Sequence, residues 1–357
     1  MGGLSTKVQR NQYFDYVKGI TIVLVVLGHC IQFGSGSAYL QNLRFYDNGI
    51  YKFIYGFHMP LLIFISGFFF ARTRNKNDTF SLLLKKTKTI FIPILCWNTV
   101  GYIQKCAIGI TSLTIKEYLL TLVSESWFLW ALLVCMCVDL LIFRCSKYGI
   151  LIGLSGIILL QFVPDLLHSN LYVYMIPYHT LGDMLGMLYI DNKNRIARPG
   201  IILVVCSLIG YFALLFFFRQ EHYIYVSGTC FNGAYLKQGA TNLFRWITGG
   251  LGITQMLLVT QALFRCGYFS MTKKFLIELG EQSMGIYMVS ILLNQYLKLI
   301  TSQLEGLSVG ICTLEMVVIV FMSYLLSKVL GHFKICNVLF LGGRAKKYGN
   351  PIMQDAK

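Results

Sequence analysis

Charged side chains are scarce in this sequence. Asp, Glu, Lys and Arg make up 13% of its 357 residues, whereas soluble domains typically carry about 25%. Acidic residues are the scarcest, with 15 Asp and Glu against 31 Lys and Arg, and the formal net charge is +16. The mean hydropathy of +0.62 is also higher than an ordinary cytosolic enzyme needs. These values exclude an ordinary soluble domain and indicate an integral membrane protein.

Several patterns with a defined chemical or processing role are also absent. The 11 Cys residues include no CxxC pair, and the closest two, Cys135 and Cys137, lie inside an apolar run. We therefore expect packing residues, with no zinc site or other metal and no disulfide scaffold. The first apolar run continues as a full span without a small-residue cleavage site, which argues against a cleavable signal peptide. No internal repeat or low-complexity tract indicates a second folded unit.

Long apolar stretches, by contrast, recur along the whole chain. A helix needs about 20 apolar residues to cross a bilayer. Ten stretches meet this condition. They lie near residues 16–34, 50–71, 89–110, 127–143, 149–165, 171–190, 200–218, 246–265, 284–303 and 308–332. Residues 112–124 are an eleventh candidate, as an interfacial helix. The sequence thus predicts an all-α integral membrane protein, with a transmembrane domain over 1–335 and a basic cytoplasmic tail over 336–357.

Basic residues are distributed unevenly between alternate connections of these ten spans. With the N-terminus inside, about three quarters of the 31 Lys and Arg residues fall on the cytoplasmic side, as the positive-inside rule requires. This placement between apolar runs favours membrane orientation over nucleic-acid binding, so no nucleic-acid partner is expected. The longest outer connection is 219–245. The distribution predicts ten crossings with both termini in the cytoplasm.

Ionisable side chains within apolar spans are candidates for a functional site, because burying them in hydrocarbon is costly. Asp15 and Lys18 lie at the inner end of the first span, and His29 lies deep inside it. At about 100° per residue, Lys18 and His29 share one helix face and are about 16 Å apart along the axis. His58 lies at a comparable depth in the second span. Structural roles are the alternative, because a membrane His can serve in packing and Lys18 can snorkel to the interface.

Two further groups of polar residues stand out. His179 and Asp183 in the sixth span are four residues apart, so they face the same way and can reach each other with a hydrogen bond. The connection between the second and third spans is strongly basic. It either orients the chain and contacts anionic lipid or captures a polyphosphorylated cytosolic ligand. Its basic residues are Arg72, Arg74, Lys76, Lys85, Lys86 and Lys88.

Short motifs along the chain resemble those of a known family, the membrane acyltransferase 3 family. The matching segments are Asp15–Ile20, Leu24–His29, Phe57–Leu61, Ile65–Phe68, Lys86–Pro93 and Trp127–Leu129, with weaker matches at Leu181–Asp183 and Leu279–Tyr287. The resemblance covers nearly the whole chain and is most specific in the first seventy residues. Lys18 stands where the family motif has an Arg, with ten residues between it and the His, and it keeps the charge without the bidentate guanidinium. Ser290 stands where many members have a His.

The resemblance implies a multi-pass enzyme of the bacterial inner membrane. Members transfer an acyl group, usually acetyl from acetyl-CoA, to a sugar hydroxyl of an envelope polysaccharide or its lipid-linked precursor. Acetyl-CoA is then a substrate, and no tightly bound cofactor is implied. The expected partners are acyl-CoA, a glycan or lipid-linked sugar, and membrane lipids. The alternatives are a transporter or flippase for a glycan or small anion, and a non-catalytic membrane scaffold.

The candidate residues divide into three roles on this hypothesis. His29 and His58 are the catalytic candidates, acting as a general base or through a covalent acyl-His intermediate. The residues expected to bind the CoA phosphates at the inner surface are Lys18, Lys85, Lys86, Lys88 and Arg72. The residues expected to contact the acceptor or support the site are Asp15, Trp127, His179 and Asp183. For Trp127, a simple interface anchor is an equal alternative.

Overall fold

Helices provide all the regular secondary structure in the part of the chain that the structure describes. The computed structural model describes residues 11–76, 78–145, 148–191, 200–231, 233–266, 270–304 and 309–343. Its α-helices are α1 (Gln12–Gly34), α2 (Ser37–Gln41), α3 (Gly49–Tyr55), α4 (His58–Lys76), α5 (Thr79–Ala107), α6 (Ile115–Ser124), α7 (Trp127–Cys145), α8 (Gly149–Leu160), α9 (Ser169–Asp191), α10 (Ile201–Phe217), α11 (Ile224–Ser227), α12 (Tyr235–Arg265), α13 (Ser270–Glu281), α14 (Ser283–Thr301), α15 (Val309–His332) and α16 (Lys334–Leu341). Short 3₁₀ helices cover Arg44–Asp47 and Gln220–His222.

The apolar stretches found in the sequence coincide with helices. Each of the ten predicted spans lies on a helix, and the predicted interfacial helix is α6. The second predicted span consists of α3 and α4, with a break at residues 56 and 57. By length and composition, 4 helices of the described chain can cross a membrane, and up to 6 if each of two bent helix pairs is one span. The fold is therefore an all-helical one with four to six candidate membrane spans.

The bend angles of two helix pairs were not expected from the sequence, although the predicted segments 112–124 and 127–143 already leave the first break between them. Helices α6 and α7 meet at an angle of 61°, and α13 and α14 meet at 77°. Each bend falls at a break of one or two residues, between Ser124 and Trp127 in the first pair and at Gln282 in the second. Polar residues occupy both breaks, Glu125 and Ser126 in the first and Gln282 in the second, but hydropathy alone does not give the angles between the helices.

Polar side chains define where several helices begin. Asn11 accepts a hydrogen bond from the backbone N–H of Tyr13 at the start of α1. The side chain of Asn48 accepts hydrogen bonds from backbone N–H groups in the first turn of α3. The side chain of Asp78 accepts hydrogen bonds from backbone N–H groups in the first turn of α5. Thr114 accepts from the N–H of Glu117 in α6. These caps satisfy backbone donors that have no partner within the helix.

Helix α1 lies at the centre of the fold. It packs against α3, α4, α12, α13, α14 and α15. Its contact with α13 is close because both helices present glycine. A Cβ atom at Gly280 would overlap the carbonyl oxygen of Asp15, and a Cβ atom at Gly19 would overlap the carbonyl oxygen of Leu276. Small residues permit such backbone approach between membrane helices.

Helices α4 and α9 form a second close pair. A Cβ atom at Gly67 would overlap the carbonyl oxygen of His179, and one at Gly182 would overlap that of Phe64. Gly186 lies equally close to the carbonyl of Phe68. Together these contacts hold α4, which carries His58 at its first residue, in a fixed position beside α9.

One predicted boundary differs from the structure, and a second lies partly outside the described residues. The outer connection expected over 219–245 is shorter, because α12 already begins at Tyr235 and α11 lies within the remaining segment. The predicted tail starts with α16, which packs on α5 and α15, and Trp97 Nε1 donates to the carbonyl of Phe340 at 2.8 Å. Residues 344–357 lie outside the described part of the chain, so the division at residue 335 stays a prediction.

Candidate active site

Two cavities lie along α1, and the first is basic. It has a volume of about 420 Å³ and contains Lys18 of α1 with Lys85 and Lys86 of α5 in its wall. We call it the basic cavity. Thr73 and Thr89 add hydroxyl groups, and the remaining lining is mostly apolar. Three converging Lys side chains give this cavity the charge that a phosphorylated ligand requires.

Lys18 is held in place by a neighbouring carboxylate. Its Nζ lies 2.6 Å from Oδ1 of Asp15, one turn earlier on α1, and the Asp15 side chain is almost fully buried. The pair leaves Lys18 with about a quarter of its side chain exposed. Asp15 therefore supports the basic cavity, at the end of α1 opposite to His29, and is remote from the expected acceptor position.

The other expected donor-binding residues lie differently. Lys86 is half-buried, with Nζ 5.7 Å from the ring centroid of Phe70, which also lines the basic cavity. Arg72 and Lys88 are exposed and are not part of the cavity wall. The structure thus brings together three of the five basic residues predicted for this role.

The second cavity contains His29 and has a volume of about 230 Å³. We call it the His29 cavity. Its wall combines aromatic and polar side chains, namely His29, Phe33, Ser124, Glu125, Ser126, Trp127, Tyr287, Ile291, Asn294, Gln295 and Lys298. His29 is half-buried, and no described residue forms a hydrogen bond with either of its ring nitrogens. The imidazole is therefore available to a ligand in this cavity.

Trp127 lines the same cavity because of the turn that precedes it. Asn98 of α5 donates through Nδ2 to the carbonyls of Leu122 (2.8 Å) and Glu125 (3.3 Å). Its Oδ1 accepts from Ser126 Oγ at 2.6 Å. Ser126 has a φ of 54°, an uncommon conformation for a residue other than glycine. Asn98 thus maintains a strained turn that directs Trp127 into the His29 cavity.

Tyr287 of α14 belongs to both cavities. Among the described residues it is the one side chain that lines the basic cavity and the His29 cavity alike. Its ring is buried and lies 5.6 Å from that of Phe128, in an edge-to-face arrangement. The two cavities therefore meet at an aromatic residue.

His58 lies beside the His29 cavity but outside its wall. Its Nδ1 is 2.8 Å from the carbonyl oxygen of Ile54, so Nδ1 carries the proton and Nε2 is the possible acceptor. His58 lines a separate space of about 20 Å³, together with Tyr55 and Tyr225. The structure therefore does not place both imidazoles in one cavity.

The expected hydrogen bond between His179 and Asp183 is not formed. His179 Nδ1 instead lies 2.6 Å from Oδ2 of Asp139 on α7, and Thr180 Oγ1 donates to Oδ1 of the same carboxylate. Asp183 accepts from Arg74 Nε at 3.0 Å and from its Nη2 at 3.3 Å. Both partners lie on helices that pack against α9, which the spacing within α9 cannot reveal. These residues join helices and do not line either cavity.

The segment before α12 adds an aromatic wall to the site. Buried Arg245 donates to the backbone carbonyls of Glu221, His222 and Gly228. These contacts place Tyr225 with its ring 6.0 Å from that of Trp127. Burial lowers the pKa of His222, and its Nδ1 accepts from the backbone N–H of Arg219, so this imidazole is neutral.

Sequence reasoning missed three residues of the site: Asn98, Tyr287 and Asn294. All three lie on apolar helices, and the search considered ionisable groups only. An amide side chain within an apolar span is also costly to bury without a partner. Extending the same criterion to Asn and Gln would have identified Asn98 and Asn294, whereas Tyr287 stands out only as the last residue of the segment Leu279–Tyr287 that resembles the family.

Comparison with known proteins defines the protein class. Residues 11–331 match a family model described as an acyltransferase domain. The chain is a membrane O-acyltransferase and belongs to the acyltransferase 3 family. This membership favours an enzyme over the transporter and scaffold alternatives.

Two curated relatives cover most of the chain. They are the nodulation proteins NolL of Mesorhizobium japonicum and Sinorhizobium fredii, each 26% identical to it over 289 and 291 residues. Each alignment covers 78% of this chain, and they cover 75% and 77% of the two relatives. No solved structure matches the chain.

Proposed function

We propose that this protein transfers an acetyl group from cytosolic acetyl-CoA to a sugar hydroxyl of an envelope polysaccharide or its lipid-linked precursor. One observation carries the proposal: the basic cavity and the His29 cavity lie toward opposite ends of α1 and meet at Tyr287. The first suits a donor rich in phosphate. The second suits a hydroxyl that must lose a proton, because it contains an available imidazole.

The proposal sets these cavities in a bacterial inner membrane crossed ten times, with both termini in the cytoplasm. The uneven distribution of Lys and Arg supports this orientation. The basic cavity then faces the compartment that supplies acyl-CoA, and the His29 cavity faces the opposite side. The distance of about 16 Å along α1 between Lys18 and His29 is comparable to an extended pantetheine arm. The thioester can therefore reach His29 while the phosphates stay among the lysines.

Donor binding is assigned to Lys18, Lys85 and Lys86. Their ammonium groups form charge-assisted hydrogen bonds with phosphate oxygens of CoA. Arg72 and Lys88, which are exposed near the same cavity, attract the anionic donor at longer range. Acetyl-CoA is consumed as a substrate in this scheme.

His29 is assigned the role of general base. One ring nitrogen accepts the proton of the acceptor hydroxyl while the hydroxyl oxygen attacks the thioester carbonyl carbon. A C–O bond forms, the C–S bond breaks, and protonated His29 returns the proton to the CoA thiolate. A two-step route through an acyl-His29 intermediate balances equally, with the acyl group first on the ring nitrogen and then on the hydroxyl oxygen.

The test is donor-dependent acylation by the purified protein in lipid nanodiscs. Radiolabelled acetyl-CoA is supplied with a panel of methyl hexosides and polyprenyl-diphosphate-linked sugars. We expect label transfer by the wild type and a loss of about 10²- to 10⁴-fold in His29→Ala, since that is the contribution of a general base. His332→Ala is the matched control, because His332 is exposed at the end of α15. Full activity of His29→Ala would contradict this mechanism, and solute movement into liposomes without consumption of acetyl-CoA would favour a transporter.

A further inference from the structure

Asn294 is a buried amide without a partner in the His29 cavity. It lies on α14 and is 4% exposed. Neither its Nδ2 nor its Oδ1 has a hydrogen-bond partner among the residues that the structure describes, and both atoms are buried, although the residue is part of the cavity wall. Buried polar groups in native proteins are nearly always hydrogen-bonded, so an unpartnered amide in a cavity wall points to a ligand.

The two amide atoms restrict the chemistry of that ligand. Nδ2 donates and Oδ1 accepts. A carboxylate or phosphate accepts only and would leave Oδ1 without a partner, and an ammonium donates only and would leave Nδ2 without one. A hydroxyl both donates and accepts, so two adjacent hydroxyls of a sugar ring can satisfy both atoms at once. The amide therefore favours a neutral vicinal diol over a charged group.

Other residues of the His29 cavity fit the same ligand. Trp127 supplies an aromatic surface against which the apolar face of a sugar ring can pack. Glu125, which is paired with Lys105, and Lys298 supply further polar atoms in the wall. The cavity volume of about 230 Å³ is below the roughly 300–1,000 Å³ of sites for drug-sized ligands. The cavity thus suits one sugar ring, with the rest of the acceptor outside it.

The side chains on one face of α14 connect this amide to the reaction. Tyr287, Ile291, Asn294 and Lys298 recur at intervals of three or four residues and all line the His29 cavity, as one helix face requires. α14 also packs directly on α1, which carries His29. A ring bound by Asn294 therefore lies in the same space as the imidazole.

We propose that the unpartnered amide of Asn294 turns into the His29 cavity when the acceptor binds, contacts two adjacent hydroxyls of the acceptor sugar, and thereby selects which ring hydroxyl His29 activates. This inference rests on the proposed function, because it names the acceptor-binding residue of the same site. It predicts that the protein discriminates between hexosides by the configuration of neighbouring hydroxyls. Asn294 then contributes to acceptor affinity and has no part in binding acetyl-CoA.

The experiment compares Asn294→Leu and Asn294→Ala with the wild type in the acylation assay. The probe is the methyl hexoside of the panel that the wild type acylates fastest, together with its monodeoxy analogues. We expect the KM for the hexoside to rise about 10- to 100-fold, as the loss of two hydrogen bonds predicts, and the KM for acetyl-CoA to stay unchanged. With the wild type, the monodeoxy analogue that lacks a contacted hydroxyl should be acylated more slowly than the parent hexoside. With Asn294→Leu, the analogue and the parent hexoside should be acylated at the same rate, since the two changes remove the same interaction.

Controls separate a binding role from a structural one. Asn294→Leu keeps the side-chain size and removes an unpartnered buried amide, so its melting temperature should equal or exceed that of the wild type. Asn42→Ala, at an exposed asparagine with only a local hydrogen bond, should leave both KM values unchanged. A wild-type KM for the hexoside in Asn294→Leu overturns the inference while the proposed function stands. A wild-type protein that acylates no sugar of the panel contradicts the proposed function and this inference with it.

Discussion

His179 and Asp183 lie one turn apart on α9, yet each pairs with a different helix. His179 binds Asp139 of α7, and Asp183 binds Arg74 of α4. The side chains of His179, Asp139 and Asp183 are fully buried, and that of Arg74 is 15% exposed. These polar pairs therefore join the three helices within the protein interior, close to the wall of the basic cavity.

Asp183→Leu should strongly destabilise the protein, because it leaves the charge of Arg74 buried without a partner. Loss of one member of a buried ion pair costs about 3–5 kcal/mol. The double variant Arg74→Leu/Asp183→Leu should recover most of that loss, since it removes both charges. Thermal unfolding of the purified variants measures the effect. A double variant no more stable than Asp183→Leu would show that the pair is not the cause.

Lys86→Ala should weaken donor binding much more than Lys88→Ala does. Both residues lie on the same turn region of α5, but only Lys86 lines the basic cavity. A hydrogen bond to a charged group contributes about 1.5–3 kcal/mol, so we expect the KM for acetyl-CoA to rise about 10- to 100-fold in Lys86→Ala. The KM for the sugar should stay the same in both variants. Equal effects at the two positions would mean that the donor responds to the general basic charge of the region.

Asn98→Ala should displace Trp127 and weaken acceptor binding. The substitution leaves Ser126 Oγ and two backbone carbonyls without their partner, at a cost of about 1–3 kcal/mol in stability. The KM for the sugar should rise, and the KM for acetyl-CoA should not. Asn98→Asp is the informative companion, because it keeps the acceptor for Ser126 and loses the donor for Leu122. Because a buried carboxylate oxygen would then face the two carbonyl oxygens, its melting temperature should fall at least as far as that of Asn98→Ala.

Gly67→Ala should lower stability, whereas Gly250→Ala should have little effect. A Cβ atom at Gly67 would overlap the His179 carbonyl, and a Cβ atom at Gly250 would meet nothing within 4 Å. Overpacking of a close contact typically costs about 1–3 kcal/mol. Comparing melting temperatures in the same lipid nanodiscs tests the difference. If both substitutions behave alike, the close packing of α4 on α9 is not required for stability.

The helices could be predicted well from the sequence, because hydropathy depends on composition along a single segment. The ten apolar stretches all lie on helices, and residues 112–124 correspond to α6. The angles at the helix breaks could not be predicted, since the strained turn at Ser126 depends on Asn98, 28 residues away. The start of α12 at Tyr235 was also missed, because its first turns include Lys237 and Gln238 and do not extend the apolar run.

The site could be predicted in part. Helical periodicity within α1 predicted that Lys18 and His29 share one face, and in the structure they lie toward opposite ends of α1 and each lines a cavity. Periodicity within α9 failed for His179 and Asp183, because their partners come from α7 and α4. Spacing within one helix shows which side chains share a face, but the packing of other helices decides what that face meets.

The meeting of the two cavities at Tyr287 bears on how the cell maintains its ion gradients. A continuous aqueous passage through the protein would let protons and other ions leak across the membrane in every idle interval between reactions. With an aromatic ring where the two cavities join, the acyl group can be transferred between them while the nucleotide stays in the basic cavity and the sugar stays in the His29 cavity. On the proposed function, the side chain at this junction therefore affects how readily ions can follow the acyl group across the membrane.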